Sequence, residues 1–171
     1  VARARAAHLH DLIQHSKKDH AIALLHDIPD TEISTLIHEY TTLYKKHQQS
    51  NATQILDDVK NAYTLYGQGY SRALFSSEEI KEIKALLNPS SESAQKTLAD
   101  IASKRLHDDA YKEKPFYKRW FTDQDREFHI DVVRDITNGQ KRTQLNLIDQ
   151  SYHKRYGKHF LDDVKKVASD A

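Results

Sequence analysis

Residues 147–165 read LIDQSYHKRYGKHFLDDVK, and they repeat much of an earlier stretch that begins with LIHEYTTLYKKH at residues 36–47. After a polar loop that is longer in the first copy, residues 57–60 and 162–165 share the sequence Asp-Asp-Val-Lys. Repeats of this kind stack helices so that each copy buries its neighbour's apolar face. The sequence therefore predicts a duplicated helical unit. At one fixed offset the first part aligns Leu36 with Ile148, Tyr40 with Tyr152, Tyr44 with Tyr156, Lys46 with Lys158 and His47 with His159.

Apolar residues recur at the 3.6-residue period of an α-helix along most of the chain. The period continues from Ile55 to Tyr66 and stops at a Gly-Gln-Gly turn, which predicts one helix there. Ser76 and Glu79 have the spacing of a capping box and predict the start of another helix. We found no segment in which β-branched and aromatic residues alternate with period two between turn signals. We therefore predict an all-α, compact multi-helix bundle with no sheet.

The last copy, from Ile136 through the Tyr-x-x-x-Tyr-Gly-Lys run at 152–158 to the Asp-Asp-Val-Lys at 162–165, resembles the second half of an annexin repeat. The first copy, from Leu24 to Lys60, resembles it more weakly. The resemblance implies a bundle of diverged annexin-like helical repeats. We expect a first repeat at 1–70, a middle helical region at 71–115 with room for a degenerate copy, and a last repeat at 116–171.

Annexins bind calcium and acidic phospholipid through a glycine-rich loop that is completed by a carboxylate, so the resemblance implies a membrane surface as ligand. The corresponding stretches here, residues 14–19 and 119–124, contain no glycine, and the carboxylate position falls on Val167. Calcium needs several closely placed oxygen ligands. We therefore expect any phospholipid binding to be independent of calcium.

Composition narrows the possible functions. The 26 Lys and Arg against 25 Asp and Glu give a net charge of +1, so any attraction to an anionic partner must be local. The absence of cysteine excludes disulfides, thiolate nucleophiles and Cys-based metal sites. No apolar run is long enough to cross a bilayer, so we expect no transmembrane segment. The start at Val1 instead of Met favours a fragment of a longer protein.

The candidate catalytic and metal-ligating residues favour structural roles. None of the 11 histidines pairs with another at i, i+3 or i, i+4, and His153 and His159 have the wrong spacing for a metal pair on one helix. The acidic pairs at 57–58, 108–109 and 162–163 are adjacent residues on different helix faces, where they favour the helix dipole. We found no phosphate-binding loop and no hydrolase or metalloprotease motif. We therefore predict no catalytic residues, no metal and no cofactor, and we interpret the tyrosine stripes as buried rings whose hydroxyls reach the edge of the core.

Residues 112–121, KEKPFYKRWF, combine four cations and one acid with four aromatic rings, including the single tryptophan. Aromatic rings anchor proteins at a bilayer interface, and lysine and arginine pair with lipid phosphates. The same composition suits an aromatic plug between helical layers, a protein partner, or stacking on single-stranded nucleic acid, which we do not expect. The predicted lipid-binding residues are Lys112, Lys114, Phe116, Lys118, Arg119 and Trp120.

Taken together, the sequence favours a non-enzymatic binding module of a larger protein that recognises anionic phospholipid headgroups, with a cytoplasmic or peripheral membrane location. The rival prediction is a helical protein–protein interaction or scaffold domain. The composition of this chain is also typical of secreted bacterial effector domains.

Overall fold

A computed structural model describes residues 1–44, 53–66, 70–111 and 142–169. These residues form eight α-helices, one 3-10 turn and one two-stranded hairpin, so the mostly helical fold that the sequence predicts is confirmed. The chain divides into two compact units, Val1–Ala94 and Gln95–Ala171. No helix in the described part of the chain is both long enough and apolar enough to cross a membrane.

The first unit begins with two helices, α1 (Ala2–Gln14) and α2 (Lys18–Asp27), that end before Pro29. The turn between them is a Schellman motif, in which the Ser16 amide donates to the Ile13 carbonyl and the Lys17 amide donates to the Leu12 carbonyl. Ser16 adopts a left-handed φ of 59° at the position that glycine usually takes. The sequence therefore gives no glycine signal at this turn.

A 3-10 turn (Asp30–Glu32) leads into α3 (Ile33–Tyr44), and α4 (Thr53–Lys60) follows. The α3 stripe meets α1, and the fully buried side chains include Leu9, Leu36 and Tyr40. Burying an aliphatic side chain of this size contributes about 1.5–3 kcal/mol. The first unit therefore has a continuous core built from α1 to α4.

The predictions of no sheet and of one helix from Ile55 to Tyr66 are wrong. The helix ends at Lys60, and β1 (Tyr63–Tyr66) pairs antiparallel with β2 (Tyr70–Ala73). β1 is composed of aromatic, β-branched and leucine residues, and a Gly-Gln-Gly sequence separates it from β2, which together favour a hairpin over a helix. The Leu74 amide then donates to the Ala62 carbonyl at 2.9 Å, which closes the hairpin onto the end of α4.

Helix α5 (Ser77–Leu86) completes the first unit and starts with the predicted capping box. The Ser76 hydroxyl accepts a hydrogen bond from the Glu79 amide at 3.2 Å, and the Glu79 carboxylate accepts one from the Ser76 amide at 2.9 Å. One turn further on, the buried Glu82 carboxylate lies 2.7 Å from Nε2 of His26 on α2. α5 is therefore held at its N-terminus by its own cap and in its middle by α2.

The second unit takes most of α6 (Glu92–Tyr111), together with α7 (Arg142–Tyr156) and α8 (Phe160–Ser169). Its described core contains Ala99, Ile148, Tyr152 and Phe160. The buried Ser103 hydroxyl donates to the Ile148 carbonyl at 3.1 Å and joins α6 to α7. Gly157, with a φ of 69°, ends α7 and turns the chain into α8.

Candidate functional site

The predicted lipid-binding residues lie outside the described residues, since the structure describes nothing between 111 and 142. The second stretch compared with the annexin calcium loop, residues 119–124, lies there too. The candidate site is therefore built from the residues on either side of this segment.

The first loop at the annexin calcium position, residues 14–19, is the Schellman turn described above. The carbonyls of Leu12 and Ile13 at its start accept the hydrogen bonds of the turn, and the Lys17 carbonyl accepts one from Ala21 at 3.0 Å. Within the described part of the chain, no three His, Asp or Glu side chains are grouped so that they could hold a metal ion.

A cluster of one histidine, two tyrosines and one aspartate lies in the core of the first unit. The His10 ring stacks on the Tyr44 ring, with centroids 3.7 Å apart and an interplanar angle of 4°. The Tyr40 ring contacts both, and its hydroxyl donates to the buried Asp58 carboxylate at 2.7 Å. This cluster joins α1, α3 and α4.

The second unit contains the same cluster. The His107 ring stacks on the Tyr156 ring with centroids 3.6 Å apart and an interplanar angle of 3°. The Tyr152 ring contacts both of them, and its hydroxyl donates to the buried Asp163 carboxylate. α6, α7 and α8 therefore take the positions of α1, α3 and α4.

The two copies also agree in burial. Tyr40 and Tyr152 are both 0% exposed, whereas Tyr44 and Tyr156 are both partly buried. One helical turn before each histidine, a small residue is wholly buried: it is Ala6 in the first copy and Ser103 in the second. The predicted duplication at Tyr40/Tyr152 and Tyr44/Tyr156 is thus present in the packing of these side chains.

The hydrogen bonds of these clusters join side chains of different helices. Burial, followed by the hydrogen bond and the charge of Asp58, raises the pKa of Tyr40 far above its ordinary value of 10.0. The phenol therefore stays protonated and donates to the carboxylate at neutral pH. The hydroxyls of Tyr40 and Tyr152 point to buried aspartates, so the interpretation that they reach the edge of the core is wrong.

No protein-family model matches this chain, and no curated protein or solved structure is significantly similar to it.

A shallow groove runs along the contact between α6 and α7 in the second unit. At its centre, Nη2 of Arg155 lies 2.6 Å from both oxygens of the Asp100 carboxylate, and the Ser151 hydroxyl donates to the same carboxylate at 3.1 Å. The hydrogen bonds to Asp100 raise the pKa of Arg155. Arg155 balances the charge of Asp100, and two exposed lysines, Lys96 and Lys154, also line the groove. It is lined by Lys96, Ala99, Asp100, Leu147, Gln150, Ser151, Lys154 and Arg155.

Sequence spacing missed one contact at the end of α7. The turn at Gly157 brings the His153 and His159 rings to 5.2 Å between centroids, although their spacing excludes a metal pair on a single helix. Asp149 contacts the His159 ring at 3.2 Å and accepts a hydrogen bond from the Phe160 amide at 3.2 Å. Asp149 therefore caps α8 and orients His159.

The histidine partners of the tyrosines were also missed. His10 and His107 lie 97 residues apart, whereas the tyrosines repeat at an offset of 112, so a single-offset alignment does not join them. A search that allows a different connection length between helices would have found them. Asp58 and Asp163 were found as part of the repeat, but burial gives them a hydrogen-bonding role that adjacency in sequence does not reveal.

Proposed function

We propose that this chain is a non-enzymatic, annexin-like binding module that recognises an anionic phospholipid surface without calcium. The observation that carries the proposal is the uneven distribution of charge. Residues 95–171 carry 16 Lys and Arg against 13 Asp and Glu, a net charge of +3, whereas residues 1–94 carry 10 against 12, a net charge of −2. The positive unit is the one that contains the basic aromatic segment at 112–121.

A local positive charge suits this role because the attraction of lysine and arginine to an anionic membrane is about 1 kcal/mol for each cation near the surface. The four cations of the segment would supply such an attraction, and its aromatic rings would anchor at the headgroup level. A groove in the same unit adds further cations. The groove between α6 and α7 adds two exposed lysines, Lys96 and Lys154, to the cations of this unit.

The buried polar residues favour binding over catalysis. Tyr40, Asp58, Tyr152 and Asp163 are committed to hydrogen bonds that hold helices together. A general acid or base must reach its substrate and titrate near the working pH. A buried tyrosine whose pKa is raised far above neutral does neither.

The test is co-sedimentation of the full chain with liposomes of phosphatidylcholine alone or mixed with phosphatidylserine, in calcium and in chelator. We expect binding only to the anionic liposomes, and equally with and without calcium. The double variant Lys118→Glu/Arg119→Glu should abolish binding while leaving the melting temperature nearly unchanged.

The matched control is Lys81→Glu/Lys84→Glu, which makes the same change of charge at two exposed positions of α5 in the negative unit. We expect this control to keep its binding. Equal losses in both double variants would mean that only net charge matters and would contradict the segment as the site.

A second variant tests the aromatic anchor. Trp120→Ala should weaken liposome binding without unfolding the domain. A loss of about 3–5 kcal/mol in the free energy of unfolding, the size typical of a large buried aromatic, would instead place the ring in a core. That result, or binding to neither liposome, would favour the helical protein–protein interaction domain.

A further inference from the structure

Helix α4 in the first unit is covered on its outer side by α5. The two helices are in contact, and Val59 of α4 lies in the same buried cluster as Ile83 and Leu87 of the α5 segment. Leu56, one turn before Val59, also packs against this cluster. Leu56 and Val59 therefore belong to an apolar contact to which α5 contributes.

Helix α8 is the counterpart of α4, because Asp163 takes the place of Asp58 in the duplicated cluster. At this offset Leu161 matches Leu56 and Val164 matches Val59. Their burial differs from that of their counterparts. Leu161 is 55% exposed, and Val164 is partly buried where Val59 is only 2% exposed.

We propose that this face of α8 is a docking site for an amphipathic helix of the same kind as α5. The duplicated cluster places α8 on its unit as α4 is placed, and the counterpart face of α4 takes such a helix. Leu161 and Val164 lie at i, i+3 and present adjacent side chains along one side of α8. The site is independent of the phospholipid proposal, which rests on the basic aromatic segment.

The chemistry of the partner follows from α5 and from the rim of the face. α5 and its C-cap carry Ile80, Ile83 and Leu87 at helical spacing, and the helix has an acidic start with Glu78 and Glu79. Residues 73–88 together carry a net charge of −1.

Two lysines lie beside the α8 face. The exposed Lys165 lies one turn after Leu161 on the same side of α8, and the exposed Lys158 lies just before the helix. The face therefore fits an amphipathic helix with an aliphatic stripe and an acidic start, which the exposed Lys165 complements.

The experiment titrates the full chain into a fluorescently labelled peptide of residues 73–88 and follows the anisotropy. We expect saturable binding, weakened at least about tenfold by Leu161→Glu, because a glutamate cannot bury in the apolar contact that the leucine makes. The matched control, Asn146→Glu, adds the same charge at an exposed position of α7 and should leave the affinity unchanged. A peptide with Ile83→Glu should not bind.

Because Leu161 is exposed, Leu161→Glu should keep the circular dichroism spectrum and melting temperature of the parent chain, so a loss of binding reports on the face. Equal affinity of the parent chain and the Leu161→Glu variant would overturn the proposal. It would also be overturned if the peptide failed to bind while sedimentation showed a dimer that Leu161→Glu disrupts, since the face would then join two copies of this chain. Neither result would alter the binding to anionic liposomes predicted above.

Discussion

At the scale of single residues, two hydrogen-bonded pairs of side chains are buried in the interior: Tyr40 with Asp58 and Tyr152 with Asp163. A buried carboxylate is costly unless hydrogen bonds satisfy its oxygens. Each tyrosine supplies such a bond and fills the space between three helices with its ring. The sequence predicted the burial of these rings from their spacing, but not their partners, because hydrogen bonding across helices leaves no periodic signal.

Replacing Tyr152 with phenylalanine should lower the free energy of unfolding by about 1–3 kcal/mol, because the ring stays while the buried Asp163 loses a donor. Tyr40→Phe should lower it within the same range, because the buried Asp58 loses this donor and keeps the one from Gln54 at 3.0 Å. Urea unfolding measures both. The control is Tyr63→Phe, whose side chain is 55% exposed and which should change little. No effect of Tyr152→Phe would mean that the hydroxyl does not stabilise the core.

At the scale of elements, a helix end that a side chain marks could be predicted from the sequence. A helix end that only the backbone conformation marks could not. The capping box of α5 was predicted because a side chain makes it. The turn after α1 was not marked, because its backbone takes a left-handed conformation at a serine. The hairpin was missed because Tyr63–Tyr66 continues the apolar pattern of α4 for one more turn, and a run of four residues fits either period.

Ser16 and Gly157, which both have a left-handed φ, should change the stability of the protein in opposite directions when they are substituted. Gly157→Ala should destabilise the protein by about 1–2 kcal/mol, the cost of placing a Cβ in this backbone region, although nothing lies within 4 Å of the added carbon. Ser16→Gly should be neutral or stabilising by less than about 1 kcal/mol, because relief of the same strain is partly offset by the greater entropy of glycine in the unfolded chain. Thermal unfolding of the two variants checks both signs. A stabilising Gly157→Ala would contradict the backbone argument.

At the scale of the whole molecule, the two units contain the same cluster of side chains but differ in net charge. Attraction between exposed cations and a membrane is screened by salt, whereas the buried clusters are not. Liposome binding and stability should therefore separate as ionic strength changes.

Raising sodium chloride from about 0.05 M to about 0.5 M shortens the screening length several-fold and should reduce binding to anionic liposomes strongly. The melting temperature should change little over the same range. Parallel co-sedimentation and calorimetry series measure the two quantities. Binding that persists unchanged in high salt would indicate that the aromatic rings, and not the cations, provide the attraction.

The sequence predicted the helical class, the main helix boundaries and the equivalence of the tyrosines, because each depends on local periodicity. The division of the chain into Val1–Ala94 and Gln95–Ala171 depends on contacts between distant residues. The groove also depends on contacts between distant residues, because Lys96 and Lys154 line the same groove only when α6 packs against α7. The exposure of Leu161 could not be predicted either. Its counterpart Leu56 is also a leucine, and the burial of the two side chains depends on which element packs against them.

The wholly buried Ala6 and Ser103 have a consequence for tracing the ancestry of this unit. Each lies four residues before its stacked histidine and has no exposed surface, so a larger side chain would have to displace its neighbours. A small residue and a histidine on one helix, two tyrosines four apart on the next, and an aspartate on a third together form a spatial fingerprint. Such a fingerprint tolerates changes of connection length and can identify related proteins after their overall sequence similarity has faded.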